Sequence, residues 1–159
     1  MKITVLAVGR IKEKYWRDAL EEYAKRLSRY ARVDMVEVED EPTPENASPR
    51  DEERIKDREG ERLLLKLPRD AYVIPLAIEG KQQDSPAMAR RIAALGLEGK
   101  SHLCFIIGGS LGLARNVMER GQEIWSFSPL TFPHQLMRVI LLEQIYRSFR
   151  INRGEPYHK

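Results

Sequence analysis

Leu103-Cys104-Phe105-Ile106-Ile107-Gly108-Gly109-Ser110-Leu111-Gly112 decides the fold: five apolar residues run straight into a Gly-Gly-Ser-x-Gly turn. An uninterrupted apolar run of this length predicts a strand covered on both faces, as in a parallel sheet. The glycines after it allow a tight turn or close approach of backbone to a ligand. Upstream, Met1 to Gly9 is a second such run, and Ala71 to Ile78 a third, with Pro75 inside it demanding an unpaired or bulged position. Met35 to Glu39 alternates and reads as a half-exposed strand, and Glu123 to Phe127 as a short one. Helical spacing appears between them. Residues 14–30 carry Tyr15, Trp16, Ala19, Leu20, Tyr23, Ala24 and Leu27 among charges. Ser48-Pro49 opens a charged helix to about Leu67, and Asp84-Ser85-Pro86 one to about Leu95. His134 to about Asn152 is the longest helix. Strands alternating with helices predict an α/β fold with a largely parallel sheet and flanking helices.

A chain of 159 residues without a long linker or internal repeat fits one domain over 1–159. No apolar run approaches the roughly 20 residues of a membrane span. The apolar N-terminus lacks a small-residue cleavage site and reads as a strand, not a signal peptide. Cys104 is the single cysteine, which excludes an intramolecular disulfide and suits the cytoplasm. One cysteine and three scattered histidines argue against a zinc site, so no metal is expected. Charge is unevenly distributed. Residues 1–32 hold nine Lys/Arg against four Asp/Glu, residues 33–60 four against eleven, and residues 133–159 five against two. Basic ends around an acidic middle hint at an anionic partner such as nucleic acid.

Three segments follow strand ends, where ligands bind in open α/β sheets. The Gly108–Leu113 loop lacks the Gly-Lys-Ser/Thr ending of a phosphate loop, and its glycine spacing and fourth-strand position do not match the dinucleotide fingerprint. A plain strand-to-helix turn is its structural alternative. Phe127-Ser128-Pro129-Leu130-Thr131-Phe132-Pro133-His134 is stiffened by two prolines. Its backbone polar groups can read an adenine edge while Leu or Phe packs on the ring; the alternative is a helix-capping connector. Leu76-Ala77-Ile78-Glu79-Gly80-Lys81 closes the third strand and reads equally as a turn. Gly154-Glu155-Pro156-Tyr157-His158-Lys159 ends the chain with turn residues, a phenol and an imidazole, the side chain suited to proton transfer near neutral pH.

Gly108-Gly109-Ser110-Leu111-Gly112, Leu130-Thr131-Phe132-Pro133-His134, the Arg138–Arg147 helix and Pro156-Tyr157-His158 together resemble the SPOUT-class methyltransferases. More narrowly they resemble the RlmH (YbeA-like) family, the large-subunit ribosomal RNA pseudouridine N3-methyltransferases. The likeness spans the whole chain. It implies an α/β knot, a deep C-terminal trefoil that periodicity cannot reveal. It implies a homodimer that binds S-adenosyl-L-methionine in a bent form and acts on large-subunit ribosomal RNA, on the assembled ribosome. Carried onto this chain, the donor contacts fall on Leu76, on Gly108 and on Phe127, Ser128, Pro129, Leu130, Thr131 and Phe132. His158 is the candidate base for the N3 proton, Tyr157 its orienter or a stacking surface, and Arg147 a group for charge on the uracil oxygens. Arg138, Arg147, Arg150, Arg153 and Lys159, with Lys12, Lys14 and Arg17, are candidate phosphate contacts. Two other readings are a non-catalytic RNA- or ribosome-binding factor with the same fold, and a SPOUT methyltransferase acting on another RNA nucleotide.

Overall fold

Alternate residues of the apolar strands face opposite sides of one sheet, and each side is covered by helices. In the computed structural model, which describes residues 1–159, the element order is β1 (Lys2–Val8), α1 (Lys14–Leu27), β2 (Arg32–Val38), α2 (Pro49–Lys66), β3 (Tyr72–Gln82), α3 (Ser85–Leu97), β4 (His102–Ile107), α4 (Arg115–Glu119), β5 (Trp125–Ser126) and α5 (His134–Asn152). The sheet order is β2-β1-β4-β3-β5 and every pairing is parallel. Ile3, Val5, Ala7, Leu103, Phe105 and Ile107 meet α1, α3 and α5 through Leu20, Leu27, Ile92, Leu95, Leu141, Leu142 and Ile145. Leu6, Val8, Val73, Cys104 and Ile106 meet α2 and α4 through Leu63 and Val117. Cys104 is wholly enclosed there, and burial pushes its thiol up to about 12, so it is an inert core side chain.

The helix starts follow their capping chemistry. Ser48 accepts from the Asp51 N–H (3.1 Å), Asp51 answers at the Ser48 N–H (3.2 Å), and Pro49 occupies the first turn. Asp84 caps α3 through the Ala87 N–H (2.8 Å).

Three features differ from the sequence expectation. The third strand does not end at Ile78 in a Glu79-Gly80 turn but runs to Gln82. Pro75 closes the ladder with β4 opposite Ile106, and the chain then moves to β5. Leu76 and Lys81 both pair with Trp125, so residues 77–80 form a bulge between them. The fifth strand is two residues, not five. The short helix α4 was not anticipated, since five residues are too few to show a period.

Arg138 corrects a further expectation. It is not a surface arginine for phosphates but is fully buried. Its guanidinium donates to Glu37 Oε2 (2.6 Å) and to the carbonyls of Val8 (3.0 Å) and Gly9 (2.8 Å). Glu37 also accepts from the Ile11 N–H (2.9 Å), so one arginine on α5 holds the turn leaving β1. Glu39 pairs with Arg10 (3.6 Å), and Glu41 pairs with Arg62. Part of the acidic middle is therefore used inside the molecule, and the charge asymmetry overstates the basic surface.

Candidate active site

The parallel topology brings the ends of β3, β4 and β5 to one edge of the sheet, where a cleft of about 430 Å³ opens. That volume suits a small-molecule ligand. Leu76 and the bulge residues Ala77, Ile78 and Glu79 line it from β3; residues 108–113 line it after β4, and Ser126, Phe127, Ser128, Leu130, Thr131 and Phe132 after β5. The three loops singled out in the sequence thus share one cavity. Of the eight residues implied as donor contacts, seven line it. Pro129 does not; it stiffens the loop from outside the lining.

The chain leaves donors for a ligand here. Within residues 108–112 only the Gly112 N–H is bonded inside the chain, to the Gly109 carbonyl (3.1 Å). Within residues 127–132 only the Leu130 N–H is, to Ser128 Oγ (2.9 Å). Free amides beside Leu76, Phe127, Leu130 and Phe132 offer polar recognition next to an apolar bed, the combination an adenosine requires. The donor set fits S-adenosylmethionine, which when bound supplies a methyl group on a sulfonium.

Gly108 is where close approach matters. A Cβ there would lie 2.7 Å from the Gly112 carbonyl carbon and 2.8 Å from its oxygen. The added bulk would strike the loop's own backbone and force it open, where the sequence suggested a collision with the ligand itself. Gly108→Val is expected to weaken donor binding by about tenfold or more, read by calorimetry. Unchanged affinity in a folded variant would remove this loop from the site.

Met118 and Met137 also line the cleft without having been singled out. Met137 stands three residues after His134 on α5, a helical spacing that could have flagged it. Met118 lies on the unanticipated α4. His134 does not cap α5 but is its first residue and faces the cleft. Burial, then the Arg138 charge, lower its pKa, so it is neutral at neutral pH.

Glu59 supports the glycine loop from behind. It is 4% exposed, accepts from the Glu41 N–H (3.0 Å), and its oxygens lie 3.2 and 3.3 Å from where a Gly109 Cβ would be. Burial raises its pKa above the usual carboxylate range. A raised folded pKa means the folded state holds the proton longer, so this group's contribution to stability falls as pH rises through that range. Glu59→Gln keeps an acceptor for Glu41 and removes the charge. The variant should be at least as stable as the parent at pH 7, with the difference shrinking toward pH 5. Urea titrations at the two pH values check this; a variant less stable at both would show that the charged form is needed.

The tail is ordered and docked. Gly154, at φ +64°, ends α5 with the paired bonds Gly154 N–H to Ile151 O (3.0 Å) and Glu155 N–H to Arg150 O (2.9 Å). The chain then folds back along the helix. Tyr30 Oη donates to Glu155 (2.8 Å), Arg150 pairs with Glu155, and Arg150 Nη2 donates to the Pro156 carbonyl (2.8 Å). Arg150 is therefore largely committed to the tail, which removes it as a free phosphate contact. Tyr157 packs edge-on against Tyr146 (centroids 4.9 Å) and donates to Glu143 Oε1 (3.0 Å). Burial, with that bond, pushes the phenol up to about 12, so Tyr157 stays a donor. Arg147 pairs with Glu143 (2.6 Å), lies 4.7 Å from the Tyr157 ring centre, and donates to His158 Nδ1 (3.1 Å).

The structure thus joins Arg147, Tyr157 and His158 into one cluster, but not with the cleft. Ten residues of α5, about 15 Å of helix rise, separate Met137 in the cleft from Arg147. None of the three residues of this cluster lines the cavity.

In open parallel α/β sheets ligands bind at the carboxyl edge of the strands, which is where this stiff-looped cleft lies. The family model described as "Predicted SPOUT methyltransferase" matches residues 1–158. The ribosomal RNA large subunit methyltransferase H of Bifidobacterium adolescentis is 59% identical over 159 residues, 100% of both chains. The protein of that name from Shouchella clausii is 56% identical over the same span. A solved structure, a probable methylase family protein from Haemophilus influenzae Rd KW20, matches with a TM-score of 0.54 at 9% identity, covering 99% of this chain and 70% of that one, a likeness of fold alone. The chain belongs to the SPOUT methyltransferase family, in its ribosomal RNA large subunit methyltransferase H branch. It is a methyltransferase.

Proposed function

We propose that the chain, as a single 1–159 domain, transfers the methyl group of S-adenosylmethionine to N3 of a pseudouridine in large-subunit ribosomal RNA. The observation that carries this is the gathering of Leu76, Gly108, Phe127, Ser128, Leu130, Thr131 and Phe132 around one cleft with free amides. Family membership supports the reaction and the substrate class, and with them the C-terminal trefoil knot and a cytoplasmic setting among ribosomes.

The separation of cleft and tail favours a homodimer in which one copy holds the donor and its partner presents Tyr157-His158. Within the tail the division of labour follows from donor chemistry. An arginine only donates, so His158 Nδ1 accepts, and the neutral imidazole carries its hydrogen on Nε2. For His158 to take the N3 proton at Nδ1, Arg147 must turn away from it. The guanidinium so released can bind the uracil oxygen on which imide charge develops. Glu143, which accepts from the Tyr157 phenol, keeps that side chain in place when Arg147 turns. Lys12 and Arg17, exposed near the start of α1 and without ion-pair partners, are the phosphate contacts this reading keeps from the first helix; Lys14 pairs with Asp18 (2.7 Å).

The test is methyl transfer from labelled S-adenosylmethionine to large subunits lacking the modification, followed by mapping of the labelled nucleotide. Label at N3 of a pseudouridine is expected. Binding of the donor with no transfer to ribosomal RNA, or label on another nucleotide, would overturn the assignment.

A further inference from the structure

Lys56 is the only lysine or arginine lining the cleft. It stands on α2, three residues before Glu59, and so on the same helix face. Glu59 abuts Gly109, and the neighbouring Gly60 is packed by Ala114, Asn116 and Val117. Lys56 therefore stands on the glycine-loop side of the cleft. Its side chain is 22% exposed, and Nζ pairs with Glu53 Oε1 (2.7 Å). A pair of this kind, one helical turn apart with a largely exposed glutamate, contributes little and can yield to a better carboxylate.

The cleft is chemically divided. Leu76, Phe127, Leu130 and Phe132 make an apolar bed at β3 and β5, while the ammonium lies at the α2 edge. A donor with a flat adenosine at one end and an amino acid at the other has one fixed anion, its carboxylate. Glu79, the cleft's only acidic residue, would repel that group. We infer that Lys56 binds the carboxylate of the donor's amino-acid end and thereby sets which end of the ligand lies at the glycine loop. This rests on the cofactor reading above and adds a residue to it.

The test compares two ligands that share the adenosine and the thioether. S-adenosylhomocysteine carries the amino-acid end; 5′-methylthioadenosine lacks it. Calorimetry should show that Lys56→Ala weakens S-adenosylhomocysteine by about tenfold or more, the loss of one charge-assisted bond. The affinity for 5′-methylthioadenosine should stay within about twofold of the parent, since that ligand makes no such bond. Lys56→Glu should weaken S-adenosylhomocysteine further. Equal losses for both ligands, or none for either, would overturn the inference. So would a Lys56→Ala variant that binds both normally and instead loses affinity for ribosomal RNA, which would assign the ammonium to phosphate. If the parent protein binds neither ligand, the cofactor reading itself fails.

Discussion

Arg138→Ala should lower the free energy of unfolding by about 2–4 kcal/mol, from the lost charge-assisted bonds and the cavity left by a buried side chain. Arg138 is 0% exposed and bonds Glu37 and two carbonyls at the end of β1. Removing it takes the guanidinium from the two carbonyls, leaves Glu37 with the Ile11 N–H alone and opens a cavity under α5. For a chain of this size the loss corresponds to a fall in melting temperature of about 10 °C. The turn after β1 should loosen as well, because Glu37 holds the Ile11 N–H. Urea unfolding measures the first effect, and amide exchange at Ile11 the second. A destabilisation below about 1 kcal/mol would mean that these bonds are replaced by water at little cost.

His158→Ala should abolish methyl transfer, by about 10²-fold to 10⁴-fold if His158 moves the proton, and leave donor affinity unchanged. The second half follows from geometry, since His158 does not line the cleft and touches the fold through Arg147. Stability should change little, because His158 is exposed. Single-turnover transfer together with calorimetry separates the two halves. Full activity would remove His158 from the chemistry; lost donor binding would mean that the tail helps hold the donor.

How much of this the sequence disclosed depends on the range of the interactions involved. β1 and β4 announced themselves because a strand buried on both faces must be apolar at every position, as Leu103–Ile107 is. The starts of α2 and α3 were legible in Ser48-Pro49 and Asp84-Ser85-Pro86, whose capping bonds close within four residues. The span of α5 was legible too, from His134 to Asn152. The bulge at 77–80 was not, since Leu76 and Lys81 both pair with Trp125, more than forty residues on. Arg138 was misread for the same reason: its partners Glu37, Val8 and Gly9 lie about a hundred residues or more away. In the site, the glycine and proline loops carried their own signal. Lys56 did not, being one of many charges on α2. The docking of the tail was only partly legible. Gly154 marks the turn, but the Tyr157 contact with Glu143 and the Arg147 contact with His158 depend on the chain reversing along α5.

The central claim is that one active site combines the cleft of one copy with the tail of another. Its most direct measurement mixes Gly108→Val protein with His158→Ala protein after reversible unfolding and assays methyl transfer. With the donor held well below the parent's dissociation constant, each variant alone should keep no more than about a tenth of the parent activity. If subunits pair at random, half of the dimers are mixed and each carries one intact composite site. Activity should then recover to about a quarter of the parent value. A mixture as inactive as its components, with mixed dimers demonstrably formed, would contradict the account and return the tail to its own subunit's cleft.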